Sequence, residues 1–168
     1  MSAVEQRLLD LGYEVPSVAA PVAAYVPALR HGEMIFTSGQ SPFVQGVLAA
    51  TGKVGEGDNQ VSPDIAKECA RLCALNAIAA VKSVVGDLDQ VVQVIKVLGF
   101  VASDSAFTGQ ADVINGASEL LAAAFGDAGV HARSAVGVNV LPMDTPVEVE
   151  ITLAVGKVGT QQPPHPSS

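Results

Sequence analysis

Apolar residues recur at helical spacing in three segments of the chain. The first is a short N-terminal run that stops at Gly12. The second begins at Ser62–Asp64, where an N-cap serine precedes a helix-starting proline and an acid suited to the positive end of the helix dipole, and it ends at Gly86. The third is Ala111–Phe125, which two glycines follow. This pattern predicts two long helices and a short N-terminal one.

β-Branched and other apolar residues dominate five further segments, which predict strands: Ala23–Leu29, Met34–Gly39, Val91–Val101, Ser134–Leu141 and Val147–Val155. Proline cannot donate a hydrogen bond to a sheet, so we expect the segment that contains Pro27 at a sheet edge. Val91–Val101 is almost continuously apolar, which is typical of a central strand covered by helices. The glycine-punctuated Gly46–Gly57 segment predicts a loop or a weak hairpin.

The order of these elements (strands, helix, strand, helix, strands) predicts an α+β domain with one mixed sheet and two helices on one face. We expect residues 1–155 to form this domain, with residues 1–12 as a helical extension and residues 156–168 as a flexible tail that cannot bury a core. Valines alternate along Ser134–Leu141, and Val91–Val101 is mostly aliphatic. Two helices cannot cover all of this apolar strand surface, so the uncovered face predicts self-association.

Composition narrows the class of ligand. Of the 168 residues, 49% are hydrophobic and 15% charged, a balance that excludes disorder for the body of the chain. The 9 lysines and arginines face 17 acidic residues, for a net charge of −8, which argues against a nucleic-acid partner and favours a small molecule. No apolar run is long enough to span a membrane, and the first ten residues carry charges where a secretory signal would be apolar. We therefore expect a cytoplasmic protein with no membrane partner.

The cysteines and histidines form no recognised catalytic or metal-binding motif. Cys69 and Cys73 lie four residues apart in the second helix, which suits packing groups in a reducing compartment better than a disulfide, with redox chemistry as the alternative. His31, His131 and His165 stand alone, so no metal site is predicted. For His131, both a capping or surface role and an acid–base role stay open.

Arg133 is the most suggestive candidate for ligand binding. It immediately precedes a predicted strand and has small, mostly apolar neighbours, a setting in which a guanidinium needs a partner. A substrate carboxylate matches its fork geometry, and a salt bridge with Glu148 or Glu150 is the structural alternative. These two glutamates share one face of Val147–Val155, which is either solvated or one wall of a polar pocket. The Ser38–Gln40 segment is a strand end whose simplest interpretation is a turn.

Several segments of the chain together resemble the RidA (YjgF) family, which also bears the older name of perchloric-acid-soluble endoribonuclease, or endoribonuclease L-PSP. The resemblance extends from about residue 25 to residue 155 and rests on Tyr25, Phe36–Pro42, Leu75–Ala77, Ala132–Val136, Leu141–Pro142 and Val147–Glu150. The spacing ARS…V…LP…VEVE is its most specific part. It implies a chorismate-mutase-like α+β fold of the Bacillus type and a homotrimer whose three small-molecule sites lie in clefts between neighbouring subunits.

The resemblance also implies an activity and a set of site residues. The activity is hydrolysis of reactive enamines and imines, such as 2-iminobutanoate and 2-iminopropanoate, to 2-keto acids and ammonia, with no metal or cofactor. Arg133 corresponds to the residue that binds the substrate carboxylate, and Glu148 to the acid near the attacking water. Tyr25 corresponds to an aromatic residue that borders the pocket from the adjacent subunit. Ser38 and Asn115 fall at pocket-lining positions.

This chain departs from the family pattern in several places. Ala135 stands where many deaminating members have a cysteine, which removes a reactive thiol, and His131 stands where proline is more usual. The N-terminal helix and the long Gly46–Asp58 segment are further additions. A non-catalytic trimer that binds or senses small carboxylates is therefore the alternative to a deaminase. The net charge of −8 makes RNA cleavage the least favoured of the three functions.

Overall fold

The computed structural model describes residues 1–18 and 24–156. Its helices and strands are α1 (Ala3–Asp10), β1 (Ala28–His31), β2 (Met34–Thr37), β3 (Phe43–Val44), β4 (Val47–Leu48), α2 (Pro63–Val85), β5 (Val91–Ala102), α3 (Gln110–Phe125), β6 (Ala132–Val138) and β7 (Val147–Val155). Short 3-10 turns occur at Leu88–Gln90, Gly126–Gly129 and Pro142–Asp144. The tail predicted for residues 156–168 lies, apart from its first residue, outside the described residues.

The three helices begin and end close to the predicted positions. Ser62 caps α2 by accepting a hydrogen bond from the Ile65 amide at 3.3 Å, and Gly86 ends that helix with a φ of 77°, which glycine adopts at little cost. At α1, Ser2 and Glu5 form a reciprocal capping box. No helix among the described residues is both long and apolar enough to cross a membrane.

The sheet has the strand order β1-β2-β7-β5-β6 and is mixed, as predicted, because β5 and β6 run parallel while the other neighbours run antiparallel. The strand after Pro27 forms one edge, and β6 forms the other. The segment predicted as a loop or weak hairpin contributes to a separate two-stranded hairpin, β3–β4. Its turn passes through Gln45 and Gly46, which both have positive φ values, the conformation of a tight hairpin turn.

The helices α2 and α3 cover one face of this sheet, as predicted. The inward positions of the adjoining strand β7 are buried: Val147, Val149, Ile151, Leu153 and Val155. Glycine permits the closest approaches. A Cβ at Gly116 of α3 would overlap the Lys67 carbonyl of α2, and a Cβ at Gly99 of β5 would overlap the Ile114 side chain. These contacts hold α3 close to α2 and β5. The polar side chains of α3 are thereby placed next to strand β6.

Within residues 1–18 and 24–156, the opposite face of the sheet is uncovered and carries apolar side chains. Leu29 pairs with Phe36 on one side of it, and Phe100 pairs with Val136 on the other. Leu29 is 58% exposed, Phe36 44% and Val136 42%. The predicted uncovered apolar face is thus confirmed, and the trimer that would cover it stays a prediction.

The boundaries of two strands, β1 and β6, differ most from the prediction. Ala23 of the predicted first strand lies outside the described residues, and in the described part β1 begins only at Ala28, because regular pairing with β2 starts after Pro27. The strand β6 covers Ala132–Val138 rather than Ser134–Leu141, because it pairs in parallel with β5 from Lys96 onward and the chain turns at Pro142. Arg133 therefore lies within the strand, and the pleat of the sheet sets the direction of its side chain.

Candidate functional site

Arg133 lies on edge strand β6 and points towards helix α3. It pairs with Val97 of β5, which pairs with Ile151 of β7, and both partners are buried on the helix-covered face. Its Nη1 donates hydrogen bonds to Asn115 Oδ1 at 2.7 Å and to Ser118 Oγ at 3.2 Å. Asn115 and Ser118 are three residues apart, so they share one face of α3. The structure thus brings together two of the site residues named from the sequence, Arg133 and Asn115.

The salt bridge that the sequence left open for Arg133 is not formed within the chain. Glu148 and Glu150 alternate with the buried residues of β7, so they project from the uncovered face of the sheet. Arg133 projects from the other face. The alternation of side chains along paired strands therefore separates the guanidinium from both carboxylates, and amide and hydroxyl oxygens hold it instead.

His131 continues the polar contacts around Arg133. Its Nδ1 lies 2.6 Å from the Gly129 carbonyl oxygen, and its Nε2 lies 2.9 Å from Ser118 Oγ, the same oxygen that accepts from Arg133. Of the two roles left open by the sequence, a capping or surface role and an acid–base role, these contacts decide neither, and His131 is partly buried. We call Arg133, Asn115, Ser118 and His131 the arginine cluster.

Glu148 belongs to a second group of polar residues on the uncovered face. Gln40 pairs with Val149 through hydrogen bonds of 2.8 and 3.0 Å, which sets Gly39 against the Glu148 side chain. A Cβ at Gly39 would overlap the carboxylate of Glu148, so glycine is required for this approach. Burial, and secondly the charge of Glu150, raises the pKa of Glu148 above the usual 4.5.

Ser38 and Tyr25 extend this second group. The Ser38 hydroxyl donates to the Val26 carbonyl at 2.6 Å, which ties the end of β2 to the residue after Tyr25. The Tyr25 side chain is 64% exposed, and Tyr25 lies shortly before the start of β1 in the chain. We call Ser38, Gly39 and Glu148 the glutamate cluster, to which Tyr25 is connected only through the neighbouring residue Val26.

The sequence therefore named residues from two clusters, and one chain does not join them. The arginine cluster lies on the helix-covered face at the β6 edge, whereas the glutamate cluster lies on the uncovered face. Ser118 and Gly39 were not among the predicted site residues. The sequence did contain a signal for Ser118, because it repeats the polar character of Asn115 about one helical turn later and so falls on the same face of the helix.

The two cysteines are buried and free, and their packing interpretation is confirmed. Burial raises the pKa of Cys69 to about 11 and raises the pKa of Cys73 well above its usual value. Because the thiolate is the reactive form, both groups are poorly suited to redox chemistry. Among residues 1–18 and 24–156, no three histidine, cysteine or acidic side chains are grouped so that they could hold a metal ion.

Comparison with known proteins identifies the class to which this fold and these clusters belong. Residues 5–153 match the family described as "YjgF/chorismate mutase-like, putative endoribonuclease". The chain therefore belongs to the YjgF family, as its sequence motifs predicted. A relative from Trypanosoma cruzi, "Protein TCP17", is 38% identical over 148 residues, which cover 88% of this chain and 91% of the relative.

Solved structures agree with this assignment. The protein Atu1372 of Agrobacterium tumefaciens, described as having unknown function, is 40% identical with a TM-score of 0.84, over 92% of this chain and 93% of that one. A "putative endoribonuclease" from Shewanella oneidensis is 32% identical with a TM-score of 0.85, over 90% and 99%. TdcF of E. coli, whose structure contains bound serine, is 26% identical with a TM-score of 0.57, over 84% and 94%.

Proposed function

We propose that this protein is a metal-independent deaminase that hydrolyses reactive 2-imino acids to 2-keto acids and ammonia. The observation that carries the proposal is the hydrogen bonding of the Arg133 guanidinium. Two polar side chains hold its Nη1, while Nε and Nη2 have no acceptor among the described residues. A half-buried guanidinium with unused donors is suited to a planar carboxylate, which all 2-imino acids carry.

Glu148 supplies the second element of the proposed reaction. A water molecule adds to the electrophilic carbon of the protonated imine, and the Glu148 carboxylate accepts a proton from that water. The Glu148 carboxylic acid then returns that proton to the nitrogen of the carbinolamine. The carbon–nitrogen bond breaks as the hydroxyl oxygen forms the carbonyl and releases its proton to the solvent, and ammonia leaves. A raised pKa makes the carboxylate a stronger base, which suits it to this transfer near neutral pH.

We further propose that the complete site forms between subunits of a homotrimer. The two clusters lie on opposite faces of one sheet, so a substrate cannot reach both within a single chain. The apolar residues of the uncovered face give a reason for subunits to associate there. A neighbouring chain could then bring its Arg133 and Asn115 against Glu148, Ser38 and Tyr25.

The assembly can be tested directly. We expect light scattering to give a mass about three times 17.1 kDa. The Phe36→Glu variant places a charge on the uncovered face, so it should dissociate into monomers and lose activity together with the trimer. Ile65→Glu, at a similarly exposed apolar position on helix α2, is the matched control and should stay trimeric. A monomeric, fully active parent protein would overturn the intersubunit site.

The activity itself is tested with freshly generated 2-iminobutanoate and 2-iminopropanoate. An amino-acid oxidase produces the imine in the cuvette, and semicarbazide traps what has not yet hydrolysed. We expect the protein to lower the amount of trapped imine and to accelerate release of ammonia. Equal rates of imine loss with and without the protein would contradict a deaminase.

A second function is a trimer that binds small carboxylates without turnover. Ala135 favours it, because this position lies two residues after Arg133 and offers no thiol to the pocket. The serine bound to TdcF is also a small carboxylate, in a protein of the same family. This function predicts saturable binding of 2-keto acids that requires Arg133, with no acceleration of imine hydrolysis. RNA cleavage is disfavoured by the net charge of −8.

A further inference from the structure

The hydrogen bonds around Arg133 determine which edge of its guanidinium a ligand can use. A guanidinium offers two bidentate edges, an end-on edge formed by Nη1 and Nη2 and a side-on edge formed by Nε and Nη2. Asn115 Oδ1 and Ser118 Oγ both accept from Nη1, at 2.7 and 3.2 Å. Nη1 has two hydrogens, so both are used, and only the side-on edge keeps two donors for a carboxylate.

The direction of the hydrogen bonds beyond Ser118 also follows from the chemistry of the groups. The Gly129 carbonyl can only accept, so the proton at the 2.6 Å contact must lie on His131 Nδ1. In the neutral imidazole, Nε2 is then an acceptor, and the Ser118 hydroxyl donates a hydrogen bond to it at 2.9 Å. The Ser118 oxygen in turn presents its lone pairs to Arg133. His131 thereby orients the hydroxyl that restrains the guanidinium.

The backbone fixes the far end of this chain of hydrogen bonds. A Cβ at Gly129 would overlap the Leu121 carbonyl of α3, so only glycine allows the 3-10 turn to approach the helix this closely. The Gly129 carbonyl is consequently held against the same helix that carries Ser118. His131 follows this turn directly and is placed between a fixed acceptor and the Ser118 hydroxyl.

We infer that Ser118 and His131 are positioning residues that lock Arg133 so that its side-on edge, Nε and Nη2, faces the substrate carboxylate. This inference rests on the proposed function, in which Arg133 binds that carboxylate. The locked guanidinium defines the plane of the bound carboxylate and therefore the direction in which the 2-imino carbon points. Neither residue touches substrate in this arrangement.

The first test separates binding from turnover in matched variants. Ser118→Ala removes the hydroxyl that holds one Nη1 hydrogen, so we expect the dissociation constant for pyruvate and KM for 2-iminopropanoate to rise about tenfold, with a smaller change in kcat. Ser118→Thr keeps the hydroxyl and should restore both values. Ser83→Ala is the control, because Ser83 is a helical serine whose hydroxyl bonds only within α2, to the Ala80 carbonyl at 2.7 Å.

The same design applies to His131. His131→Leu should weaken pyruvate binding in the same direction as Ser118→Ala, because the serine hydroxyl loses the acceptor that orients it. His131→Gln keeps an acceptor near the position of Nε2 and should restore binding. The exposed His31→Leu is the control. Melting curves of each variant establish that it folds, and unchanged pyruvate binding in both folded variants, Ser118→Ala and His131→Leu, would overturn the inference.

A second test does not depend on any ligand. In ¹⁵N NMR spectra of the unliganded parent protein, we expect slow rotation about the Nε–Cζ bond of Arg133 and, in the neutral His131 imidazole, the tautomer with its proton on Nδ1. Ser118→Ala should speed the rotation, and Ser118→Thr should not. Fast rotation in the parent would overturn the positioning role. Restricted rotation in a parent that neither binds pyruvate nor hydrolyses imines would instead count against the proposed function alone.

Discussion

Replacing Arg133 by alanine is expected to lower kcat/KM for 2-imino acids by about 100-fold, because the substrate carboxylate loses two charge-assisted hydrogen bonds. That loss corresponds to about 3 kcal/mol of transition-state stabilisation. The loss should appear as weaker binding. The affinity for pyruvate should therefore fall, and KM for the 2-imino acid should rise. Steady-state kinetics on trapped imine and calorimetric titration with pyruvate measure the two quantities.

Two further variants define what the guanidinium contributes. Arg133→Lys keeps the charge but has no bidentate fork, so it should recover only a small part of the activity. Arg30→Ala removes another strand arginine, whose Nε donates to the Gly32 carbonyl at 2.9 Å on the far edge of the sheet, and should behave like the parent. If Arg133→Ala hydrolyses imines as fast as the parent while folding normally, the proposed carboxylate site is wrong.

The elements of the fold were predictable because local signals mark them. The Ser62 cap and Gly86 stop of α2 depend on residues within one turn of each helix end, and both act as the sequence predicts. Strand boundaries were less predictable. The β6 boundaries depend on parallel pairing with β5, a partner more than thirty residues earlier in the chain, which no local pattern specifies.

The candidate site was predictable only in part, for the same reason. Motif spacing could single out Arg133, Asn115 and Glu148 one by one, but their relation in space depends on strand register. That register places Arg133 level with Val97 on the helix-covered face and sends Glu148 to the other. The sequence left open a salt bridge between Arg133 and Glu148, and within one chain the sheet separates these two side chains. The contact between His131 and Ser118 joins a turn to a helix and had no sequence signature.

The strand register bears on the expectation that the sites form between subunits. Residues that motif spacing groups into one site are divided by the sheet of a single chain. Either the two clusters act separately or a second chain completes each site. The half-buried Glu148 and the exposed apolar residues beside it on the same face favour the second arrangement, because both are features of a surface that another subunit covers.

Replacing Glu148 by glutamine is expected to lower kcat by about 100-fold, because a positioned general base contributes at least that factor. The parent should gain activity as pH rises through the Glu148 pKa, since only the carboxylate accepts a proton from water. Burial, with Glu150 as the smaller cause, holds that pKa above the usual 4.5, so the acid limb of the rate profile should lie above 4.5 as well. The Glu148→Gln variant should lose this limb. Rates corrected for spontaneous hydrolysis measure the profile.

Glu150→Gln is the matched variant that tests the pH at which the acid limb of the rate profile lies. It removes the neighbouring charge that raises the Glu148 pKa, so the acid limb should move to lower pH while the catalytic carboxylate stays in place. An unmoved limb in Glu150→Gln, together with an acid limb that persists in Glu148→Gln, would assign the titration to a group other than Glu148.

Stability provides an independent check on the same carboxyl group. Because its pKa is raised on folding, the folded state binds the Glu148 proton more tightly than the unfolded state does. The free energy of unfolding should therefore decrease as pH rises from about 4.5 through the raised pKa, and the burial of the carboxylate then remains a cost at neutral pH. Glu148→Gln removes the charge and should melt at a higher temperature than the parent at neutral pH. A variant that is both less active and more stable would show that the protein retains this half-buried carboxylate for function at the expense of stability.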